Sequence, residues 1–267
     1  MDEKAILTEF DNGVLWIRLN RPGARNAFNR ALGEQLLDSL IEVDRDPKVR
    51  CAVIIGSEPA FCAGDDIGGI KVLLGLAPPS PGSAGDSARD GSILYLACAR
   101  RVLRSPKPIL AAINGPAAGA GTEFACAADL RLASSTARIG SGLISIGQMG
   151  NAVLMTRLIG PARATALFLD GSLISAEEAK GIGLVDYVFD SETFEQDVRS
   201  FALRIASLPT KAIGLFKETR EKALSAHWEV ALGEQEKAHW RNMAEVEDSV
   251  EGARAFLEKR KPHFVGR

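Results

Sequence analysis

An α/β fold with parallel strand pairing is predicted from three features. Ala52-Val53-Ile54-Ile55 and Ile109-Leu110-Ala111-Ala112-Ile113 are apolar at consecutive positions, the pattern of strands buried on both faces. Each run passes at once into a glycine-rich turn. Helical and strand-like patterns alternate through the first two thirds of the chain, as layered α/β folds require.

The elements follow in order. Val14-Leu15-Trp16-Ile17-Arg18-Leu19 reads as a short strand, ended by Asn20-Arg21-Pro22-Gly23. Asn29 suits a helix N-cap. Beyond it Leu32, Leu36, Leu40 and Val43, with Leu37 and Ile41, place apolar groups on one helical face. Residues 75–92 break the pattern, since fourteen of these eighteen are Gly, Pro, Ser or Ala. Such a segment buries little and is expected to be a mobile loop, either a lid or tunnel wall or a surface insertion. Composition shifts near residue 190, and a helical pattern rich in Glu, Lys and Arg runs on with interruptions at Pro209 and Pro262. Residues 1–195 are therefore read as the core and 196–267 as a C-terminal helical region. Apolar residues in that tail, including Phe216, Leu224, Trp228 and Trp240, require a surface to cover, on this core or on a neighbouring subunit.

Composition narrows the function. The 267 residues are 46% hydrophobic and 25% charged, with 32 Lys and Arg against 34 Asp and Glu, a net charge of −2. Nucleic-acid binding is not expected from that balance. No apolar run reaches the roughly 18 residues that span a bilayer, so no membrane partner is expected. Met1-Asp2-Glu3-Lys4 lacks a basic start followed by an apolar stretch, which makes the cytoplasm the expected compartment.

Several chemistries lose their usual motifs. The sequence contains no G-x-S-x-G, no Walker A and no G-x-G-x-x-G. Its three histidines, His227, His239 and His263, all fall in the tail, where solvated helix positions are expected. No metal is expected. Cys51, Cys62, Cys98 and Cys126 have no C-x-x-C spacing. Cys62, in a glycine-rich stretch, could be a small packing residue or a nucleophile.

Two glycine-rich segments remain, Pro59-Ala60-Phe61-Cys62-Ala63-Gly64-Asp65-Asp66-Ile67 and Asn114-Gly115-Pro116-Ala117-Ala118-Gly119-Ala120-Gly121-Thr122-Glu123. The second runs into a helix-compatible stretch. Small residues admit a ligand close to the backbone, and a helix N-terminus offers free N–H groups. Facing each other, two such turns would form an oxyanion hole. Glu123 is the sole charged residue between Ile109 and Ala128. It is either a first-turn glutamate stabilised by the helix dipole or a partly buried carboxyl with a raised pKa suited to proton transfer.

In order and spacing these motifs resemble the crotonase family, also called the enoyl-CoA hydratase/isomerase family, over nearly the whole chain. The resemblance is carried by Asn20-Arg21-Pro22, Asn26-Ala27-Phe28, Phe61 to Ile67, Lys107-Pro108-Ile109, Asn114-Gly115 and Gly119 to Glu123. It continues through Ser175-Ala176-Glu177-Glu178-Ala179, Gly183-Leu184-Val185 and Ala255 to Lys261. It implies a spiral of ββα units and a helical region that builds homotrimers, often paired into hexamers. It also implies an acyl-CoA thioester substrate, with no cofactor beyond the coenzyme A that the substrate carries.

By motif match, the backbone N–H groups of Asp65 and Ala120 would form the oxyanion hole, and Glu123 would be the catalytic acid/base. Arg25, Ala63, Asp66, Ile67, Leu143, Phe256 and Lys259 fall at positions that line the substrate and coenzyme A. Phe256 and Lys259 approach the adenine end, often from a neighbouring subunit. One departure stands out. Hydratases of the family use two glutamates, and the resemblance places the second at Leu143. The expected enzyme is therefore one that stabilises a thioester enolate without being an efficient two-glutamate hydratase. A non-catalytic acyl-CoA-binding paralogue, a decarboxylase and a thioester hydrolase are the alternatives.

Overall fold

In the computed structural model, which describes residues 4–73, 75–78 and 93–267, strand β1 (Ile6–Asp11) turns into β2 (Val14–Leu19) through Asn12-Gly13. Both turn residues have positive φ, +46° and +86°, as a tight Asn-Gly hairpin requires. Helix α1 (Arg30–Arg45) begins at Asn29, whose side chain accepts the Leu32 N–H at 2.9 Å. The predicted apolar stripe is present: Leu32, Leu36, Leu40 and Val43 are buried, and Leu37 and Ile41 flank them half-buried. Strand β3 (Cys51–Gly56) follows, then the short helix α2 (Ile67–Leu73), α3 (Leu94–Arg104) and β4 (Ile109–Ile113). Every residue of β3 and β4 is buried, as their uninterrupted apolar runs predict.

Beyond β4 come β5 (Ala117–Ala118), α4 (Ala120–Ala127), β6 (Leu130–Ser134) and β7 (Arg138–Gly140). Then follow α5 (Leu154–Ile159), α6 (Pro161–Asp170), β8 (Leu173–Ser175), α7 (Ala176–Gly181) and β9 (Tyr187–Phe189). Among the described residues one sheet has the order β1-β2-β3-β4-β6-β9, parallel throughout except for the β1–β2 hairpin. A smaller sheet, β5-β7-β8, forms beside it. This is a mixed α/β fold with largely parallel strand pairing.

Alternate residues of the large sheet feed two cores. Ile17, Ile54, Ala111 and Ala133 pack with α1, α3 and α4 on one face. Trp16, Val53, Leu110 and Leu132 pack on the other face against Phe194, Val198, Ala202 and Ala206 of α8 (Phe194–Ala206). Helix α8 spans the expected boundary at residue 195 and serves as the second helical layer of the sheet. The glycine-rich segment 79–92, where a mobile loop is expected, lies outside the described residues.

The chain ends in α9 (Thr210–Ala223), α10 (Trp228–Glu245) and α11 (Glu247–Leu257). Buried Lys217 of α9 ties this region to the core, bonding the Asp129 carboxylate at 2.5 Å and the Lys107 carbonyl at 2.8 Å. The same Asp129 oxygen accepts the Ile109 N–H at 2.9 Å. Burial lowers the Lys217 pKa, and the Asp129 charge opposes that shift. Helix α10 buries none of its residues and exposes Trp228, Val230, Leu232, Trp240 and Met243.

Candidate active site

The two glycine-rich turns meet at the C-terminal ends of β3 and β4, where open parallel sheets place their sites. Backbone bonds join them. The Cys62 N–H donates to the Pro116 carbonyl at 3.2 Å, and the Ala118 N–H donates to the Cys62 carbonyl at 3.0 Å. Gly121 makes this approach possible, because a Cβ there would stand 2.4 Å from the Cys62 carbonyl oxygen.

Asp65 is fixed from its other side. The Phe28 N–H donates to the Gly64 carbonyl at 2.7 Å, and the Asp66 N–H donates to the Phe28 carbonyl at 2.9 Å. Successive N–H groups of an extended segment alternate in direction, so the Asp65 N–H points away from Phe28. Gly64 lies beside the start of α4: a Cβ on it would be 3.4 Å from the Ala120 nitrogen. Gly119 turns the chain into the helix with φ +49° and ψ −121°, a region that glycine alone enters readily. Ala120 is then the first helical residue, whose N–H has no acceptor within the helix. The Asp65 and Ala120 amides thus stand at neighbouring turns.

Glu123 lies one turn into α4 and is 4% exposed. One carboxylate oxygen accepts the Leu154 N–H and the other accepts from Asn151 Nδ2, each at 3.2 Å. Burial raises its pKa above the ordinary carboxyl value, and the two donors partly oppose that rise. Glu123 is thus both a first-turn glutamate of α4 and a buried carboxyl, so the features of both sequence readings are present. Leu143 begins a 3-10 turn and is half-buried, with its side chain over Gly119: a Cβ on that glycine would be 3.2 Å from Leu143 Cδ2. Asp65, Ala120, Glu123 and Leu143 therefore surround one turn.

Tyr95 and Asn151 also belong here and were missed from sequence. The Tyr95 ring meets Phe28 edge-on at 6.2 Å, and Phe28 meets Phe124 in the same manner at 5.7 Å. Burial, aided by the nearby charges of Asp65 and Glu123, pushes the Tyr95 phenol up to about 12. It is a proton-bearing donor at neutral pH.

The other predicted positions divide into two groups. Arg25 is exposed in the left-handed region at φ +50°, and its carbonyl accepts the Ala63 N–H at 3.0 Å. Asp66 pairs with Arg21 at 2.8 Å, and Ile67 is largely exposed. Arg25, Ala63, Asp66 and Ile67 thus form a connected rim to the Asp65 turn. Phe256 and Lys259 lie exposed at the end of α11 and share no hydrogen bond, ion pair or ring contact with that rim or with Glu123.

The nucleophile reading of Cys62 is overturned. The residue is fully buried, and desolvation pushes its thiol up to about 12, whereas a nucleophilic cysteine needs an accessible thiolate. All three histidines are exposed, as expected. Among the described residues no group of three or more His, Cys, Asp and Glu is placed to hold a metal, and no helix is long and apolar enough to cross a membrane. A cavity of about 980 Å³, lined by residues including Arg45, Arg104, Lys107 and Lys211, lies at the opposite pole of the sheet and contains none of the site residues.

The fold thus brings two glycine-rich turns together beside a buried carboxyl. Residues 9–267 match the enoyl-CoA hydratase/isomerase family, and the chain belongs to that family of acyl-CoA enzymes. It is 34% identical to 1,2-epoxyphenylacetyl-CoA isomerase of Escherichia coli, with 98% of each chain covered. It is 36% identical to 2,3-dehydroadipyl-CoA hydratase of the same organism over 95% of this chain and 96% of the relative. Among solved structures, a putative enoyl-CoA hydratase/isomerase from Mycobacterium abscessus superposes with a TM-score of 0.88 at 34% identity, covering 98% of this chain and 100% of that one.

Proposed function

We propose that this enzyme binds an acyl-CoA thioester with its carbonyl oxygen between the Asp65 and Ala120 amides, and that Glu123 moves a proton on the enolate that forms there. The observation that carries this reading is the joining of the two turns beside a buried carboxyl. Charge on the thioester oxygen develops only towards the transition state, so fixed backbone dipoles favour that state over the ground state. Tyr95 adds a neutral donor near both carboxylates.

Leu143 sets the reaction type. Water addition across a double bond uses a base for the water and an acid for the α-carbon, and a side chain without a proton to exchange covers the turn where a second carboxyl is expected. We infer that efficient two-glutamate hydration is not the activity. A reaction served by one carboxyl fits better, such as an isomerisation, a decarboxylation or a thioester hydrolysis. The relatives carry both hydratase and isomerase names, so their likeness does not choose between reactions. Arg25, Ala63, Asp66 and Ile67 form the rim along which coenzyme A would lie. Phe256 and Lys259 would reach its adenine end in an assembly of at least three copies, which the uncovered apolar residues of α10 support. We place the enzyme in the cytoplasm.

The decisive experiment incubates purified protein with a panel of acyl-CoA thioesters and follows products by mass spectrometry. Turnover of an isomerisable, decarboxylatable or hydrolysable thioester is expected. Hydration of a short enoyl-CoA should be slower than in a two-glutamate relative by about 10²–10⁴-fold, the usual contribution of a general acid or base. Rapid hydration would overturn the inference from Leu143. Tight coenzyme A binding without any turnover would mark a non-catalytic binder.

A further inference from the structure

One side-chain amide connects the two halves of this machinery. Asn151 is 2% exposed and lies in the left-handed region at φ +58°, three residues before α5. Asparagine tolerates that conformation better than most residues with a Cβ. Its Nδ2 carries two protons. One is donated to the Gly119 carbonyl at 2.9 Å and the other to Glu123 Oε2 at 3.2 Å, while Oδ1 accepts from Ser141 Oγ at 2.9 Å. The orientation of the amide is fixed by chemistry. The Gly119 carbonyl can only accept, and a flipped amide would set oxygen against that carbonyl and against the carboxylate together.

The Gly119 carbonyl and the Ala120 N–H are two ends of one peptide group. That carbonyl also accepts the Glu123 N–H at 3.0 Å. A donor at the carbonyl end polarises a peptide and strengthens its N–H as a donor, and two such bonds hold its plane. The same Nδ2 holds one oxygen of Glu123, whose other oxygen is held by the Leu154 N–H.

We propose that Asn151 is a positioning residue that orients the Ala120 oxyanion donor and the Glu123 carboxyl as one unit, so that the proton moves at a fixed place relative to the stabilised oxygen. This rests on the enolate reading above. The consequence is that one substitution should weaken oxyanion stabilisation and shift the titration of the acid/base together, an outcome that loss of local packing alone does not produce.

The test uses the full-length protein and two variants. Asn151→Gly keeps the left-handed backbone and removes the side chain. Asn151→Asp keeps the shape and removes Nδ2, and it carries the test if the glycine variant does not fold. The probe is butyryl-CoA, isotopically labelled at its carbonyl carbon, with the thioester stretch read by difference infrared spectroscopy. The parent protein should move that stretch to lower frequency on binding, and both variants should lose much of the movement. With a substrate from the thioester panel, Asn151→Gly should lower kcat about tenfold or more, since removing a whole oxyanion donor costs about 10²–10³-fold. KM should change by less than about twofold, as expected for an interaction strengthened in the transition state. The pH limb set by Glu123 should move upward, because the lost bond favoured the charged carboxylate. If the parent itself leaves the stretch unmoved, the oxyanion reading fails and this inference fails with it. If the parent moves the stretch, but both variants keep the full movement and the same pH limb, the role of Asn151 alone is overturned.

Discussion

Helices α4 and α10 are opposites. All eight residues of α4 are buried, whereas α10 buries none of its eighteen. Helix α4 is short and rich in alanine and glycine, and it gains its order from what surrounds it: the Cys62 segment, the Phe28–Phe124 ring pair and the Asn151 amide. Helix α10 is long and carries large apolar side chains outward. A helix that must hold a carboxyl at a fixed distance from a backbone donor has to be enclosed on every side. A helix with uncovered tryptophans leaves apolar surface that the proposed assembly would cover. The proposed chemistry and the proposed assembly thus fall on different layers of the same fold.

The contrast can be tested by breaking each layer. The largest effect is expected inside α4, where Glu123→Gln should lower turnover by about 10²–10⁴-fold without changing the circular dichroism spectrum. The same substitution carries a pH signature. The native pKa of Glu123 is raised, so the folded state keeps its proton to higher pH than the unfolded chain. The stability that Glu123 contributes is therefore fully present below the unfolded value of about 4.3 and is lost as pH rises through the native value. The Tm of Glu123→Gln relative to the parent should accordingly increase between about pH 4 and pH 7. Constant Tm differences over that range would show that the carboxyl is not protonated more readily in the fold.

Next in size is Ala120→Pro. Proline is tolerated at the first helical position, so the substitution removes one N–H while leaving the helix in place, and kcat should fall about 10²–10³-fold. Normal turnover in a normally folded variant would refute the oxyanion assignment. On α10, Trp228→Glu combined with Trp240→Glu should reduce the sedimentation coefficient from that of at least a trimer to that of a smaller species. A parent protein that sediments as a monomer across micromolar concentrations would show that the exposed face serves something other than self-assembly. The smallest effect is expected from Cys62→Ala, which should cost about 1 kcal/mol in stability, near the centre of the range for point substitutions. Turnover per folded molecule should stay within about twofold. A large loss of turnover would restore the thiol as a reacting group.

These two helices also show what a sequence discloses. The start of α4 was visible because Glu123 is the single charged residue among the twenty from Ile109 to Ala128. Helix α1 was visible through its cap and periodicity, and β3 and β4 through unbroken apolar runs. Strands β5, β7 and β8 are two or three residues long, too short for any period to register. The β1–β2 hairpin did carry a local signal in Asn12-Gly13 that went unused. Asn151 had none. It reaches Glu123 across 28 residues by way of a left-handed backbone, and neither its type nor its neighbours distinguish it from a loop asparagine. Tyr95 was hidden in a similar way, since only the tertiary packing of α3 brings its ring beside Phe28, 67 residues earlier.

The Lys217–Asp129 pair sets an order of events at the ribosome. Once residue 206 has emerged, the segments that cover both faces of the large sheet have all been made. Asp129 is then present beside the first residue of β4, but the cation that neutralises it is still to be translated. In the finished chain α9 covers Asp129, and losing Lys217 there would break a largely buried pair, which costs about 3–5 kcal/mol. The latch can close only when α9 arrives, so the last quarter of the message completes a sheet edge encoded long before it.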